Sequence, residues 1–279
     1  MQLISYIKIL RPLNLLISII CVLLSAFILN QLAENLFPII TVIFLLGGFS
    51  NIINDIIDYK IDYANNLNRP ISSNIISIKA AFLYSLLLLL IACIITINFN
   101  ILTKSLIFIL LLPLIILYTP FFKKIPLLGN IIVSFILSMV FIITSTYLLG
   151  EIHSDIIPPF IFAFFLMLIR EIVKDIADLE GDKKFNIQTL PVKFGIDTTL
   201  LFIYFFVFLL FISSILIYCF YTSYQLFYLL NICFFIHCPL FFYIYQLSKN
   251  KTSIYCIYLS KVLKLITIFG VIVIYLANN

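Results

Sequence analysis

Two short acidic runs stand apart in an otherwise apolar chain. The first is Asn54 to Asp62 (NDIIDYKID) and the second is Asp175 to Asp182 (DIADLEGD). Both space their aspartates as DxxDxxxD, and each aspartate of the first recurs 120 residues later in the second: Asp55 and Asp175, Asp58 and Asp178, Asp62 and Asp182. On an α-helix, offsets of 0, 3 and 7 residues fall at about 0, 300 and 340 degrees, so each triad shares a face roughly 60 degrees wide. Like charges so close repel one another. Inside a bilayer each carries a further cost on the order of 2.5–3.5 kcal/mol at the centre. Something positive must neutralise them. Carboxylates, with the amide oxygen of Asn54 beside them, are hard oxygen donors of the kind that suits Mg²⁺. Mg²⁺ takes one or two carboxylates and fills its shell with phosphate oxygens, so two facing clusters predict a diphosphate held between metal ions. The metal would neutralise the charge on a departing diphosphate while an allylic C–O bond breaks toward a carbocation. Phe and Tyr faces would shield that cation.

The elements that must position these acids are membrane helices. Of 279 residues, 64% are hydrophobic and 10% charged, with no Trp, 29 Phe and 16 Tyr; a soluble domain carries roughly a quarter charged residues. Apolar runs of about 20 residues recur from end to end, each long enough to cross a bilayer. They predict an all-α polytopic membrane protein, one domain over residues 1–279, with nine spans at 13–30, 36–55, 80–98, 101–118, 129–149, 157–178, 199–220, 225–246 and 258–277. Pro113 and Pro239 fall inside spans, where they are expected to kink the helix. The run Leu13 to Leu29 has no small-residue cleavage site and reads as a retained span.

Charge fixes the topology. With a cytoplasmic N-terminus and an outer C-terminus, 16 of the 17 basic residues lie on the inner side, Lys104 being the exception. Of the 12 acids, Glu34, Glu151 and Asp155 fall outside, eight crowd into the two inner clusters, and Asp197 stands alone. The loops that follow the two clusters are the long ones, as functional loops tend to be. The net charge of +5 therefore reports topology, and no basic patch interleaved with aromatics points to nucleic acid. The six cysteines form no CxxC pair and read as small core residues.

At its two acidic runs the chain resembles the UbiA-type intramembrane prenyltransferases, whose motifs are NDxxDxxxD and DxxDxxxD. Arg11-Pro12-Leu13-Asn14, Asn68-Arg69-Pro70, the run Arg170 to Asp182, and Thr189-Leu190-Pro191 look like the branch that joins a geranylgeranyl group to geranylgeranylglyceryl phosphate. The resemblance implies that Asn54, Asp58 and Asp62 bind one Mg²⁺ and that Asp178 and Asp182 bind another. Asp55 and Asp175 would support the site or position the acceptor, with Asp175 assisting its deprotonation. It implies a geranylgeranyl diphosphate-like donor and a lipophilic acceptor, either a prenylated glycerol phosphate or an aromatic quinone precursor. The family often places a Lys four residues after a Tyr. Here Tyr118 is followed by Lys123 and Lys124, at five and six, and one of the two would contact diphosphate.

Other charged residues have both a functional and a plainer reading. Arg69 could grip diphosphate through paired hydrogen bonds or set topology. Arg11 and Lys8 could bind an acceptor phosphate or lipid headgroups. Arg170 and Lys174 could pair with Glu171 or Asp178 as structure. Lys261 and Lys264 read as snorkelling side chains, and His237 as a core histidine. A transporter would place its ionisable groups near mid-span, whereas these acids gather at one end.

Overall fold

A computed structural model describes residues 2–64, 69–221 and 224–277, and all regular structure among them is helical. Asn68 of the Asn68-Arg69-Pro70 run lies outside the described residues. In chain order the helices are α1 (Gln2–Ile9), α2 (Pro12–Ile28), α3 (Phe37–Ile57), α4 (Tyr59–Ala64), α5 (Ile78–Thr96), α6 (Ile101–Tyr118), α7 (Leu128–Leu149), α8 (Ile157–Ala177), α9 (Leu179–Lys184), α10 (Leu190–Phe220), α11 (Leu226–Lys249) and α12 (Ser253–Ala277). Among the described residues eight helical segments are long and apolar enough to cross a membrane, and α2, with 17 residues, is a shorter apolar helix. At about 1.5 Å per residue α2 reaches roughly 26 Å, close to the hydrocarbon thickness. The helices overlap the expected spans, with most ends differing by one to three residues; α10 begins nine residues early, ahead of its break at Gly195, and α12 begins five residues early.

The chain divides into two compact units, residues 1–122 with 140–153, and residues 123–139 with 154–279. In the first, α3 packs against α2 and α5. A Cβ on Gly48 would lie 3.0 Å from Leu10 Cδ2 and 3.2 Å from Leu88 Cδ1, so the absent side chain lets α3 approach α5 and the junction between α1 and α2. In the second, α8 packs against α10 and α12 and is buried along most of its length. Here Ser214 Oγ of α10 and His237 Nε2 of α11 lie 2.8 Å apart, a polar tie between helices inside an apolar unit. His237 is therefore a core residue bonded across a helix pair, as its surroundings in the sequence predict.

Both mid-span prolines produce a local widening of the helix. α6 runs as π-helix from Leu106 to Leu111 and α11 from Cys233 to His237, each immediately before the turn that carries Pro113 or Pro239. A proline ring clashes with the carbonyl four residues back, and a π-turn is one way to move that carbonyl aside. A third irregularity is the break in α10 at Gly195, whose φ of 79° and ψ of 166° suit glycine.

Candidate active site

Each acidic run begins on a membrane helix and ends on a short one. α3 stops at Ile57, Asp58 lies between the two helices with φ −86° and ψ 2°, and α4 carries Asp62. In the second run α8 stops at Ala177, Asp178 lies between the two helices with φ −94° and ψ 6°, and α9 carries Asp182. The hydrogen bonds match as well. Asp58 N–H donates to Asn54 O and Asp62 N–H to Asp58 O, both at 2.9 Å; Asp178 N–H donates to Lys174 O and Asp182 N–H to Asp178 O, also at 2.9 Å. The expectation of three aspartates along one continuous helix is thus modified. The middle aspartate of each run sits at a break, in the sparsely populated bridge region where many active-site residues are found.

In the first unit the acids are buried and met by arginines. Asp55, Asp58 and Asp62 are 2%, 4% and 4% exposed. Arg69 Nη1 donates to Asp55 Oδ1 at 2.9 Å and to Asp62 Oδ2 at 2.7 Å. Arg11 also donates to Asp55 Oδ1. Two guanidinium groups therefore share one carboxylate oxygen, and one of them bridges to a second acid. Charge-assisted bonds of this kind are roughly twice as strong as neutral ones.

The local backbone explains how both arginines arrive there. Pro12 disfavours the helical conformation in the residue before it, so α1 ends; Arg11 does not take the usual extended alternative but φ 55° and ψ 63°, a left-handed conformation that is uncommon for a bulky residue. Such a conformation costs roughly 1–2 kcal/mol and persists where other contacts hold it. Asn51 Nδ2 donates to the preceding Leu10 carbonyl at 2.9 Å, and Arg11 donates to Asp55 Oδ1. Arg69 begins a turn segment in which Ser73 N–H donates to Arg69 O at 2.9 Å, and Ile75 and Ile76 N–H both donate to Pro70 O. Ile71 and Ile76, each 3% exposed, pin that segment to the apolar interior.

Asn54 is placed by α6. Thr119 Oγ1, one residue beyond Tyr118, donates to Asn54 Oδ1 at 3.3 Å. Lys123 and Lys124 lie in the 3₁₀ turn Phe122–Lys124, and Asn14 lies in the first turn of α2, its N–H on Arg11 O at 2.9 Å.

The second unit holds its acids differently. Asp175 Oδ2 accepts from Asn130 Nδ2 of α7 at 2.8 Å. Asp182 is 5% exposed and accepts from Thr189 Oγ1 at 3.2 Å, which gives the Thr189-Leu190-Pro191 run a role in orienting that carboxylate. Asp178 is exposed, unlike its counterpart Asp58. One turn earlier, Glu171 accepts from Arg170 Nη1 at 2.5 Å and from Lys174 Nζ at 2.6 Å, while Arg170 Nε donates to Ser260 O of α12 at 3.3 Å. The pairing expected for Arg170 and Lys174 is therefore with Glu171. Asn130 and Thr119 were not anticipated; the only trace either leaves in the sequence is a polar residue at the edge of an apolar span.

Among the described residues no group of three or more His, Cys, Asp or Glu is placed to hold a metal ion by itself. The donors present are carboxylate and amide oxygens in pairs and threes along each run. That set fits a hard cation that takes one or two carboxylates and completes its shell with ligand oxygens and water, which is how Mg²⁺ binds. It does not fit a closed structural site for a soft metal.

Comparison with known proteins places these motifs in context. The model of the UbiA prenyltransferase family matches residues 14–275. The digeranylgeranylglyceryl phosphate synthase of Methanosphaera stadtmanae is 39% identical over 193 residues, covering 68% of this chain and 69% of that one. That of Methanococcus maripaludis is 32% identical over 249 residues, covering 88% of this chain and 86% of the relative. A solved digeranylgeranylglyceryl phosphate synthase superposes with a TM-score of 0.77 at 26% identity, over 99% of this chain and 98% of its own. A UbiA homolog from Archaeoglobus fulgidus bound to GPP and Mg²⁺ has the same fold, with a TM-score of 0.66 at 19% identity over 97% and 99% of the two chains.

Proposed function

The chain belongs to the UbiA prenyltransferase family, and on that premise we propose that it transfers a geranylgeranyl-type group from its diphosphate to the free hydroxyl of a prenylated glycerol phosphate, with Mg²⁺. It is an integral membrane enzyme, and the positive-inside bias supports a cytoplasmic N-terminus, an outer C-terminus and both acidic runs on the cytoplasmic side. The observation that carries the reading is the pair of DxxDxxxD runs, each broken at its middle aspartate with the same backbone and hydrogen-bond pattern. The acceptor class rests on the relatives that share the chain's sequence at 32–39% identity.

In this reading Asn54, Asp58 and Asp62 hold one Mg²⁺, and Asp178 and Asp182 hold another. Bound Mg²⁺ neutralises the negative charge on the departing diphosphate. Arg69, Lys123 and Lys124 bind diphosphate oxygens, and Tyr118, at the end of α6, lines the same segment. Asp55 is an anchor: its carboxylate holds Arg11 and Arg69 in place rather than meeting the substrate. Arg11 and Asn14, at the start of α2, bind the acceptor's phosphate. Asp175 keeps Oδ2 on Asn130 and presents Oδ1 to the acceptor hydroxyl, taking its proton as the new C–O bond forms. The apolar helices exclude water, so the allylic cation is captured by the acceptor and not hydrolysed.

The test is an acceptor panel on purified protein, with labelled geranylgeranyl diphosphate and with or without Mg²⁺. Geranylgeranylglyceryl phosphate is expected to be prenylated only with the metal. Transfer to an aromatic quinone precursor alone would replace the acceptor assignment, and no transfer to either would remove the function.

A further inference from the structure

Arg69 is engaged with the very group that a cation would need. Its Nη1 lies 2.7 Å from Asp62 Oδ2 and 2.9 Å from Asp55 Oδ1. Asp62 is 4% exposed, so its charge requires a partner in place. Arg69 is itself partly exposed, with 29% of its side chain open to solvent. Arg11 gives the contrast, since its ion pair is with Asp55. A guanidinium and a divalent cation on one carboxylate repel each other, so the two compete for Asp62.

We propose that Arg69 is an internal counter-ion for Asp62 which a divalent cation displaces. Before the metal arrives, Arg69 bridges Asp55 and Asp62 and keeps the buried acids compensated. When the metal takes Asp62, Arg69 stays tethered to Asp55 and its freed N–H groups are offered to an anionic donor. Metal and prenyl diphosphate then bind with positive coupling, because the first ligand prepares an arginine for the second. The inference rests on the reading of Asp62 as a metal ligand and Arg69 as a diphosphate ligand.

The experiment measures Mn²⁺ binding to the purified full chain by electron paramagnetic resonance, with no prenyl diphosphate present. Arg69→Gln is expected to bind Mn²⁺ about three- to tenfold more tightly than the unaltered protein, because the competitor is gone. Arg11→Gln removes the same charge from the same neighbourhood without touching Asp62, and is expected to change Mn²⁺ affinity by no more than about twofold. Adding geranylgeranyl diphosphate should tighten Mn²⁺ binding in the unaltered protein and do so less in Arg69→Gln. If circular dichroism shows Arg69→Gln unfolded, Arg69→Lys carries the test. A lysine keeps the charge but cannot span two carboxylates in the same way, so Mn²⁺ binding should again tighten. Unchanged or weaker Mn²⁺ binding in the folded Arg69 variant, or an equal gain in Arg11→Gln, overturns the proposal. If Asp58→Asn and Asp62→Asn leave Mn²⁺ affinity where it was, the metal reading itself falls and takes the proposal with it.

Discussion

Asn130 Nδ2 donates to Asp175 Oδ2 at 2.8 Å across a gap of 45 residues. The bond ties α7 to the start of the second acidic run and fixes which carboxylate oxygen of Asp175 faces away. If Asp175 accepts the acceptor's proton, Asn130→Ala should lower kcat about tenfold or more while the KM for the donor changes little. A steady-state comparison that finds kcat unchanged would confine Asn130 to packing.

Glu171 accepts from Arg170 at 2.5 Å and from Lys174 at 2.6 Å inside a largely buried helix end. Replacing it with Gln removes the carboxylate that both cations pair with directly. Breaking a buried pair by removing one partner costs about 3–5 kcal/mol; Lys174 is 38% exposed, so the lower part of that range is expected. Thermal unfolding in detergent should show a clear fall in Tm for Glu171→Gln. Arg170→Met together with Glu171→Leu should recover much of it, since a well-packed apolar pair can replace a buried ion pair.

The oxygen donor set predicts the response to other metals. Chelation should abolish turnover, and Mg²⁺ or Mn²⁺ should restore it. Ca²⁺ prefers six to eight oxygens at about 2.3–2.6 Å and should restore turnover poorly. Full activity in the presence of chelator would contradict the assignment of the acidic runs as cation ligands.

Thr189 Oγ1 donates to Asp182 Oδ2 at 3.2 Å, and both groups are buried. Thr189→Val keeps the shape and removes the donor. It should weaken Mn²⁺ binding several-fold through a less well oriented carboxylate, whereas Thr189→Ser should retain most of the affinity. Equal affinity in both variants would mean that the bond does not set the position of Asp182.

The sequence made the helices legible because membrane spans announce themselves by length and apolarity. It made the acids legible because one spacing occurs twice. What it concealed lies in tertiary contacts and backbone detail. No Pro or Gly adjoins Asp58 or Asp178, so nothing marks the break at each middle aspartate. Pro113 and Pro239 announce a helix irregularity but not its form, which is a π-helical turn just upstream. The partners Asn130 and Thr119 are single polar residues with no repeating pattern, and they become visible only when a helix brings them against an acid. Arg11 is a partial case. Pro12 predicts that the preceding residue leaves the right-handed helical region, but not that its side chain turns onto Asp55.

The central claim is that the middle aspartates of the two runs act on the diphosphate donor. The direct measurement is single-turnover transfer from labelled geranylgeranyl diphosphate in membranes carrying Asp58→Asn, Asp178→Asn or both. The account predicts that each single variant is slowed by at least about 100-fold with helical content intact, and that the double variant is slowed at least as much. Full-rate transfer by either single variant would contradict it.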